Sequence, residues 1–395
     1  MKVSHSFAAS AAVFDDEHLV SCAGLVPVMA LAAQTALPQL LTDKVFIAEP
    51  RIKSGSANPA PKLSTLIAGM CAGADSIDDL DVVRSGGMKT LFDGVYAPST
   101  IGTLLREFTF GHARQLESVL REHLAELCAR VDLLPGASER AFIDIDSLLR
   151  PVYGHAKQGA SYGHTKIAGK QILRKGLSPL VTTISTATGA PVIAGARLRA
   201  GKANSGKGAA RMVAQAIATA RAAGVAGPIL VRGDSAYGNS TVAAACRRAG
   251  AQFSLVLNKT RAVAVAIESI DDSAWIPVQY PGAVFDPDTR AWISDAEVAE
   301  TTHTALTPPT TPTTAPPNVR TCRRDDLGRT RPGSCALRSP TACCMPPACS
   351  PVAPTQRPAE PPCAARSSPS PPGWSDRNAA LFCTYQAIGP GLITG

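Results

Sequence analysis

The stretch AFIDIDSLLRPVYG, residues 141–154, combines an apolar strand pattern with two carboxylates. Side chains two positions apart in a strand point to the same side. Asp144 and Asp146 therefore share one face, and the apolar Ile143 and Ile145 share the other. Because like charges repel, such a pair is favoured where a cation lies near it or where the face is open to water. The stretch predicts a strand with one buried face and one charged face.

The segments that follow this strand alternate between strand and helix patterns. Apolar, β-branched runs on either side of the turn TGAP predict a hairpin, and an alanine-rich stretch that ends at a glycine predicts a helix. The predicted elements, in order, are the strand 141–150, the hairpin 180–201, the helix 206–227, the strand 228–234, the helix 239–250 and the strand 252–259. This order predicts an α/β fold with a mixed sheet and flanking helices. It is also the element order of the RNase H-like fold.

Composition and periodicity divide the chain into four regions. Residues 1–135 show helical periodicity, which fits both an ordinary helical bundle and a DNA-binding helix-turn-helix. Residues 136–260 form the predicted α/β core, and residues 261–306 have an alternation suited to a small β insertion. Residues 307–395 contain 18 of the 32 prolines, 7 of the 11 cysteines and no lysine. These last residues are therefore predicted to be a disordered tail of low structural order.

The charges of the α/β core are distributed unevenly. The 87 residues between Asp146 and Asp234 contain 13 lysines and arginines but no aspartate or glutamate, whereas the chain average would place about seven acids there. Phosphate contacts need lysine and arginine and are weakened by carboxylates, so this region predicts a nucleic-acid partner. A basic solubilising face is the alternative. The candidate DNA-binding residues are Lys157, Lys166, Lys170, Arg197, Arg199, Lys202 and Lys207.

The segment Leu19 to Thr42 is uncharged and long enough to span a bilayer. It contains two prolines and two glutamines, and its apolar residues recur at helical spacing. We interpret it as a helix of the protein core and expect no membrane partner. The cysteines of residues 1–306 are scattered and form no CxxC motif, which predicts a reducing, cytoplasmic location.

Two acids of the core are candidate metal ligands. Asp146 lies in the first strand, and Asp234 lies at the C-terminal end of a later strand. The carboxyl ends of adjacent strands can bring distant acids together, and Mg²⁺ or Mn²⁺ prefers carboxylate oxygens. Such a pair supports two-metal phosphodiester chemistry, although acids that are simply solvated remain the alternative at this point.

Three motifs together carry a resemblance to a known family. The stretches FIDIDSLLRPVYGHAKQGASYGHTK, LRAGKANSGKGAARM and VRGDSAYG, in this order, resemble the DDE transposases of bacterial insertion sequences. The resemblance implies an RNase H-like catalytic domain with a β insertion and a divalent metal cofactor. Asp146, directly before Ser147, would be the first catalytic acid, Asp234 the second, and Asp144 a supporting residue.

The resemblance also implies an activity and its partners. Members of this family cut DNA at the ends of the mobile element and join the freed 3′-hydroxyls to a target. We therefore expect transposon ends and target DNA as partners, a homodimer as the active form, and a location at the bacterial nucleoid.

The third acid of such a site is missing from its expected place. The resemblance implies a glutamate on a helix beyond the insertion, but the only glutamate after Leu306 is Glu360, between an alanine and a proline. Glu268, Glu297 and Glu300 are the remaining candidates, in or near the insertion. A tail rich in proline, arginine, alanine, serine and cysteine is typical of a GC-rich gene read out of frame. We therefore expect a frameshifted tail and a catalytically defective copy.

Two other functions fit parts of the sequence. DIDSLL also resembles the first motif of haloacid dehalogenase-type phosphatases, in which Asp144 would be the nucleophile and Asp146 the acid/base. The stretch RGDSAYG, however, lacks the second downstream acid that those enzymes place there. A DNA-binding remnant without catalytic activity is the other alternative.

Overall fold

The computed structural model describes residues 17–48, 53–92, 94–154, 157–167, 170–277, 284–288, 290–292, 296–302, 318–326, 329–330, 335–338 and 384–386. The chain divides into two compact units. The first comprises Met1–Ala141, Ser147–Asn204 and Gln215–Gly227. The second comprises Phe142–Asp146, Ser205–Ala214 and Pro228–Gly395.

Helices lie in the N-terminal region and again in the α/β core. They are α1 Leu25–Gln34, α2 Leu37–Lys44, α3 Lys53–Ser56, α4 Pro59–Cys71, α5 Pro98–Glu107, α6 Phe110–Cys128, α7 Ala209–Ala222, α8 Ser240–Arg248 and α9 Arg261–Glu268. Short 3-10 helices lie at Asp78–Val83, Gly86–Thr90 and Asp272–Ala274.

The strands begin at residue 141 and continue into the tail. They are β1 Ala141–Ser147, β2 Arg150–Pro151, β3 Ser161–Ile167, β4 Lys170–Leu177, β5 Leu180–Ser185, β6 Val192–Arg197, β7 Ile229–Gly233, β8 Gln252–Leu257, β9 Ile276–Pro277, β10 Phe285–Asp286, β11 Ala291–Trp292, β12 Ala296–Thr302, β13 Asn318–Asp326, β14 Arg329–Thr330, β15 Cys335–Arg338 and β16 Thr384–Gln386.

The helical part of the first unit has its own apolar core. Helix α2 packs against α4 and α6, and α4 packs against α5. Leu41, Leu63, Leu104 and Val119, one from each of these helices, are almost fully buried in a single cluster. The apolar side chains of these amphipathic helices therefore meet on their inner faces, as their periodicity predicts.

The uncharged N-terminal segment forms two helices instead of one. Helices α1 and α2 are separated by a break at which Ala36 adopts φ 58°. Among the described residues no single helix is both long and apolar enough to cross a bilayer, although α1 and α2, bent by 57°, meet that criterion as a pair.

Two antiparallel arrangements follow α6 in the first unit. Strands β5 and β6 form the predicted hairpin, with Leu180 opposite Arg197 and Ile184 opposite Val192. Strands β2, β4 and β3 form a separate three-stranded sheet in that order. The element order predicted from the sequence contains no strand between residues 150 and 180, where β3 and β4 lie.

The second unit contains a mixed sheet. Its strand order is β1-β7-β8-β15-β16-β13-β12-β9. Strands β7 and β8 are parallel, whereas β15 runs antiparallel to β8. Helix α8 packs against β8. The mixed sheet, the flanking helices and the N-terminal helices confirm the predicted α/β class.

Local signals explain why α8 begins and ends where it does. The Asn239 side chain accepts a hydrogen bond from the backbone N–H of Val242 at 3.1 Å, which caps the first turn. Gly250, with φ 65°, follows the last turn. Cys246 lies on the buried face, and burial raises the pKa of its thiol to about 12. This cysteine is therefore a packing residue.

The insertion and the tail differ from the sequence pattern in detail. The insertion begins with helix α9, which the alternation does not predict, and then contains strands β9 to β12. Strands β13 to β16 lie in the tail, and none of them contains proline, as expected for paired strands. The rest of the predicted low-order tail lies outside the described residues.

Candidate active site

Asp146 lies at the exposed end of a strand whose other face is buried. Ala141, Ile143 and Ile145 are at most 3% exposed, whereas Asp144 is half-buried and Asp146 is exposed. This alternation confirms that the two aspartates share the face opposite the core. The first strand thus carries its acids toward solvent while its apolar side chains hold it in the sheet.

Asp234 lies in a tight turn directly after β7. Its Oδ1 accepts a hydrogen bond from the backbone N–H of Ala236 at 2.9 Å, and its carbonyl oxygen accepts one from Tyr237 N–H at 3.0 Å. The Tyr237 side chain is fully buried. The turn is thereby anchored in the core while the Asp234 side chain remains exposed.

The sheet places the strands that carry the two acids side by side. Strands β1 and β7 are neighbours. A Cβ atom on Gly233 would lie 3.2 Å from Ile145 Cγ2, so the residues that directly precede Asp234 and Asp146 are in contact. One position earlier, Arg232 contacts Asp144. From the first pair to the second, each strand moves one residue toward its C-terminus. Asp146 and Asp234 are the next residues along the two strands.

Asp144 forms an ion pair with the neighbouring strand. Arg232 donates from Nε to Asp144 Oδ1 and from Nη2 to Oδ2, both at 2.7 Å. The guanidinium carbon also lies 4.6 Å from the centre of the Phe142 ring. Arg232 is therefore a nearby cation, one of the two surroundings that the sequence pattern favours for the two aspartates. The pattern R-x-D in β7, which mirrors D-x-D in β1, is the signal that could have identified it.

We expect the Asp144–Arg232 pair to stabilise the protein by about 0.5 to 1 kcal/mol, because the geometry is bidentate but both side chains are about 40% exposed. Urea unfolding of Asp144→Asn, Arg232→Gln and the double variant would measure this coupling. The exposed Asp81–Arg84 pair, with a single 2.6 Å contact, is the control, for which we expect at most about 0.3 kcal/mol. A coupling no larger than that of the control would contradict this prediction.

The three candidates for the third acid lie on other elements. Glu268 is the exposed last residue of α9. Glu297 and Glu300 lie on strand β12, where the register places them opposite Arg323 and Arg320 of β13. In the part of the chain that the structure describes, no three histidine, cysteine, aspartate or glutamate residues are grouped closely enough to hold a metal ion.

Two of the candidate DNA-binding residues are buried. Arg197 is 8% exposed, donates to Gln215 Oε1 at 2.5 Å and lies 3.6 Å from the Glu117 carboxylate. Arg199 is 9% exposed and donates to the carbonyl oxygens of Ser178 and Asn204. Their partners are internal, so these arginines stabilise the packing of the first unit instead of facing a DNA surface.

The candidate lysines are placed differently. Lys157, Lys202 and Lys207 are exposed. Lys166 and Lys170 lie at the paired ends of β3 and β4, and their side chains lie outside the described residues. An exposed lysine is already at the surface that a phosphate could approach, whereas the two buried arginines are not.

The family comparison identifies the class of protein to which this mixed-sheet fold belongs. The family described as "Transposase DDE domain group 1" matches residues 8–306. The chain belongs to this family of DDE transposases. Such transposases bind DNA, act in transposition and generally use divalent metal ions. A comparison with curated proteins gave no significant match.

Proposed function

We propose that this protein derives from an enzyme that cuts DNA at the ends of a bacterial insertion sequence and joins the freed 3′-hydroxyls to a target. The observation that carries the proposal is the contact between the residues preceding Asp146 and Asp234 on adjacent strands, within a chain of the DDE transposase family. The family match favours this function over that of a phosphatase. The bidentate contact of Asp144 with Arg232 also gives that carboxylate a partner other than a substrate.

The donor set fits a hard divalent cation. Asp146 and Asp234 offer exposed carboxylate oxygens from neighbouring strands, which suit Mg²⁺ or Mn²⁺. When bound, the metal would activate the attacking oxygen and stabilise the leaving oxygen. Asp144 would act through Arg232, which joins β1 to β7 two residues before each ligand and so holds the spacing between them.

We further propose that this copy is catalytically defective. The family match ends at residue 306, where the composition changes to a lysine-free, proline-rich tail. Among the described residues no third acid joins the other two. A frameshift near residue 306, which replaced the helix carrying the catalytic glutamate, accounts for both observations.

The remaining expectations follow from the substrate. An insertion sequence has two ends, so we propose a homodimer as the form that acts on both. The substrate is chromosomal DNA, so we propose that the protein acts at the bacterial nucleoid.

The first test is to read the gene past the codon for Leu306 in all three frames. We expect another frame to continue with a β segment and an amphipathic helix that carries a glutamate. The purified 395-residue chain should then bind DNA with strong salt dependence and show no cleavage of the element's ends in Mg²⁺ or Mn²⁺. If no other frame continues in this way, or if the purified chain cleaves those ends, the proposed defect is wrong.

A further inference from the structure

Strands β3 and β4 form a ribbon that is two-stranded over most of its length. We call residues 161–167 and 170–177 the basic ribbon. Its strands pair along their whole length, about 23 Å for seven residues. The third strand, β2, pairs only through Arg150 and Pro151 at the base. The outer part of the ribbon therefore has no neighbouring strand among the described residues.

Large side chains are exposed on both faces of the basic ribbon. On one face Tyr162 and Leu173 are 63% and 54% exposed, and His164 is exposed as well. Ile172 and Arg174 are exposed on the other face. A two-stranded ribbon with two open faces gains little stability by itself. Exposed apolar and aromatic residues grouped in this way mark a binding surface.

The charge of the basic ribbon indicates which class of partner it binds. Residues 147–233 contain no aspartate or glutamate, and the ribbon itself carries Lys166, Lys170, Arg174 and Lys175. A protein surface ordinarily mixes both signs of charge. A ribbon that carries four basic residues and lies in a stretch of chain without acids is complementary to a polyanion.

The base of the basic ribbon is held in place by close backbone contacts. A Cβ atom on Gly163 would lie 2.1 Å from the Gly201 carbonyl oxygen, and one on Gly201 would lie 2.4 Å from that of Gly176. The backbone N–H of Lys202 also donates to Ser161 Oγ at 2.9 Å. The base of the ribbon is therefore anchored to the segment after β6.

We propose that the basic ribbon enters the major groove of duplex DNA. That groove admits a two-stranded β-ribbon. Arg174 and Lys175 would neutralise phosphates, while Tyr162, His164 and Leu173 would contact the base edges or the groove wall. This inference rests on the proposed function, because it takes DNA as the substrate. It adds the element of the chain that would hold the DNA.

The first experiment compares two pairs of basic residues. Arg174→Gln/Lys175→Gln removes two charges from the basic ribbon. Arg247→Gln/Arg248→Gln removes two exposed charges from the end of α8. We would measure binding of the 395-residue variants to a 40-base-pair duplex from the element's end by fluorescence anisotropy at several salt concentrations. For the ribbon variant we expect an about tenfold weaker Kd and a salt slope smaller by about 1.8, and for the α8 variant values near wild type.

The second experiment removes an aromatic side chain without changing charge. We expect Tyr162→Ala to weaken duplex binding several-fold while the salt slope stays unchanged, because a groove contact releases no counterions. Phe110→Ala, at an exposed aromatic residue of α6, is the matched control and should bind as wild type. Thermal unfolding of each variant would show that the fold is retained.

The outcomes separate this inference from the proposed function. If the wild-type chain binds DNA and both ribbon variants bind it equally well, the ribbon assignment is overturned. The transposase origin would then remain intact. Ribbon-dependent binding to single strands but not to duplexes would overturn the groove assignment. Failure of the wild-type chain to bind any DNA would count against the proposed function itself.

Discussion

Replacement of Gly201 by alanine is expected to lower the free energy of unfolding by about 2 to 3 kcal/mol. A Cβ atom at this position would lie 2.2 Å from the carbonyl oxygen of Ser161 and 2.4 Å from that of Gly176. Both oxygens belong to the backbone of paired strands, so neither can move without disturbing the β3–β4 pairing. Urea denaturation followed by circular dichroism would measure the change.

Gly24→Ala is the matched control for this substitution. Gly24 precedes α1 with φ −60°, and a Cβ atom there would meet no heavy atom within 4 Å. We expect a change of less than about 0.5 kcal/mol, as for ordinary surface substitutions. Equal losses at Gly24 and Gly201 would show that the close contact at Gly201 does not determine its effect. Since Gly201 also anchors the basic ribbon, its alanine variant should bind duplex DNA more weakly than wild type.

The largest effect is expected at Asp146, in a chain whose C-terminal reading frame has been restored. If Asp146 and Asp234 hold the metal, Asp146→Asn and Asp234→Asn should each reduce cleavage of the element's ends by about a thousandfold. The metal supplies several kcal/mol of transition-state stabilisation, and each 1.36 kcal/mol corresponds to a factor of ten. A gel assay of end cleavage in Mg²⁺ would measure the loss.

Two further variants distinguish a metal ligand from a structural residue. Asp146→Cys should recover part of the activity in Mn²⁺ but not in Mg²⁺, because a thiolate is a softer ligand than a carboxylate. Asp144→Asn should lose only about tenfold, since its carboxylate acts through Arg232 and not on the metal. Full activity of Asp146→Asn, or equal losses for Asp144→Asn and Asp146→Asn, would contradict the assigned roles.

The order of most elements of the α/β core could be predicted from the sequence because the signals for them are local. Helix α6 has a continuous amphipathic period, and α8 has an asparagine cap and a terminal glycine. Strand β7 is a short apolar run that ends in a turn. Each of these features is set by residues within one or two turns of the chain, so one sequence is sufficient to find it.

The two principal acids could also be proposed from the sequence, although the adjacency of their strands could not. Asp146 and Asp234 stand at recognisable positions at or near strand ends, but whether β1 and β7 are neighbours depends on the sheet order. The same is true of Arg232, which lies 88 residues from its partner Asp144. The mirrored patterns R-x-D and D-x-D identify this pair only once β1 and β7 are known to be neighbours.

The sequence by itself determined the α/β class, the order of β1, the β5–β6 hairpin, α7, β7, α8 and β8, the acid-free basic span and the change in composition after residue 306. Only the tertiary structure decided which of the basic residues are buried and which are exposed. In the structure Arg197 and Arg199 are buried with internal partners, whereas β3 and β4 pair as a ribbon with exposed side chains. The physical reason is that a charged side chain is buried only where distant parts of the chain supply its hydrogen-bond partners. Those partners are assembled by packing and not by neighbours in the sequence.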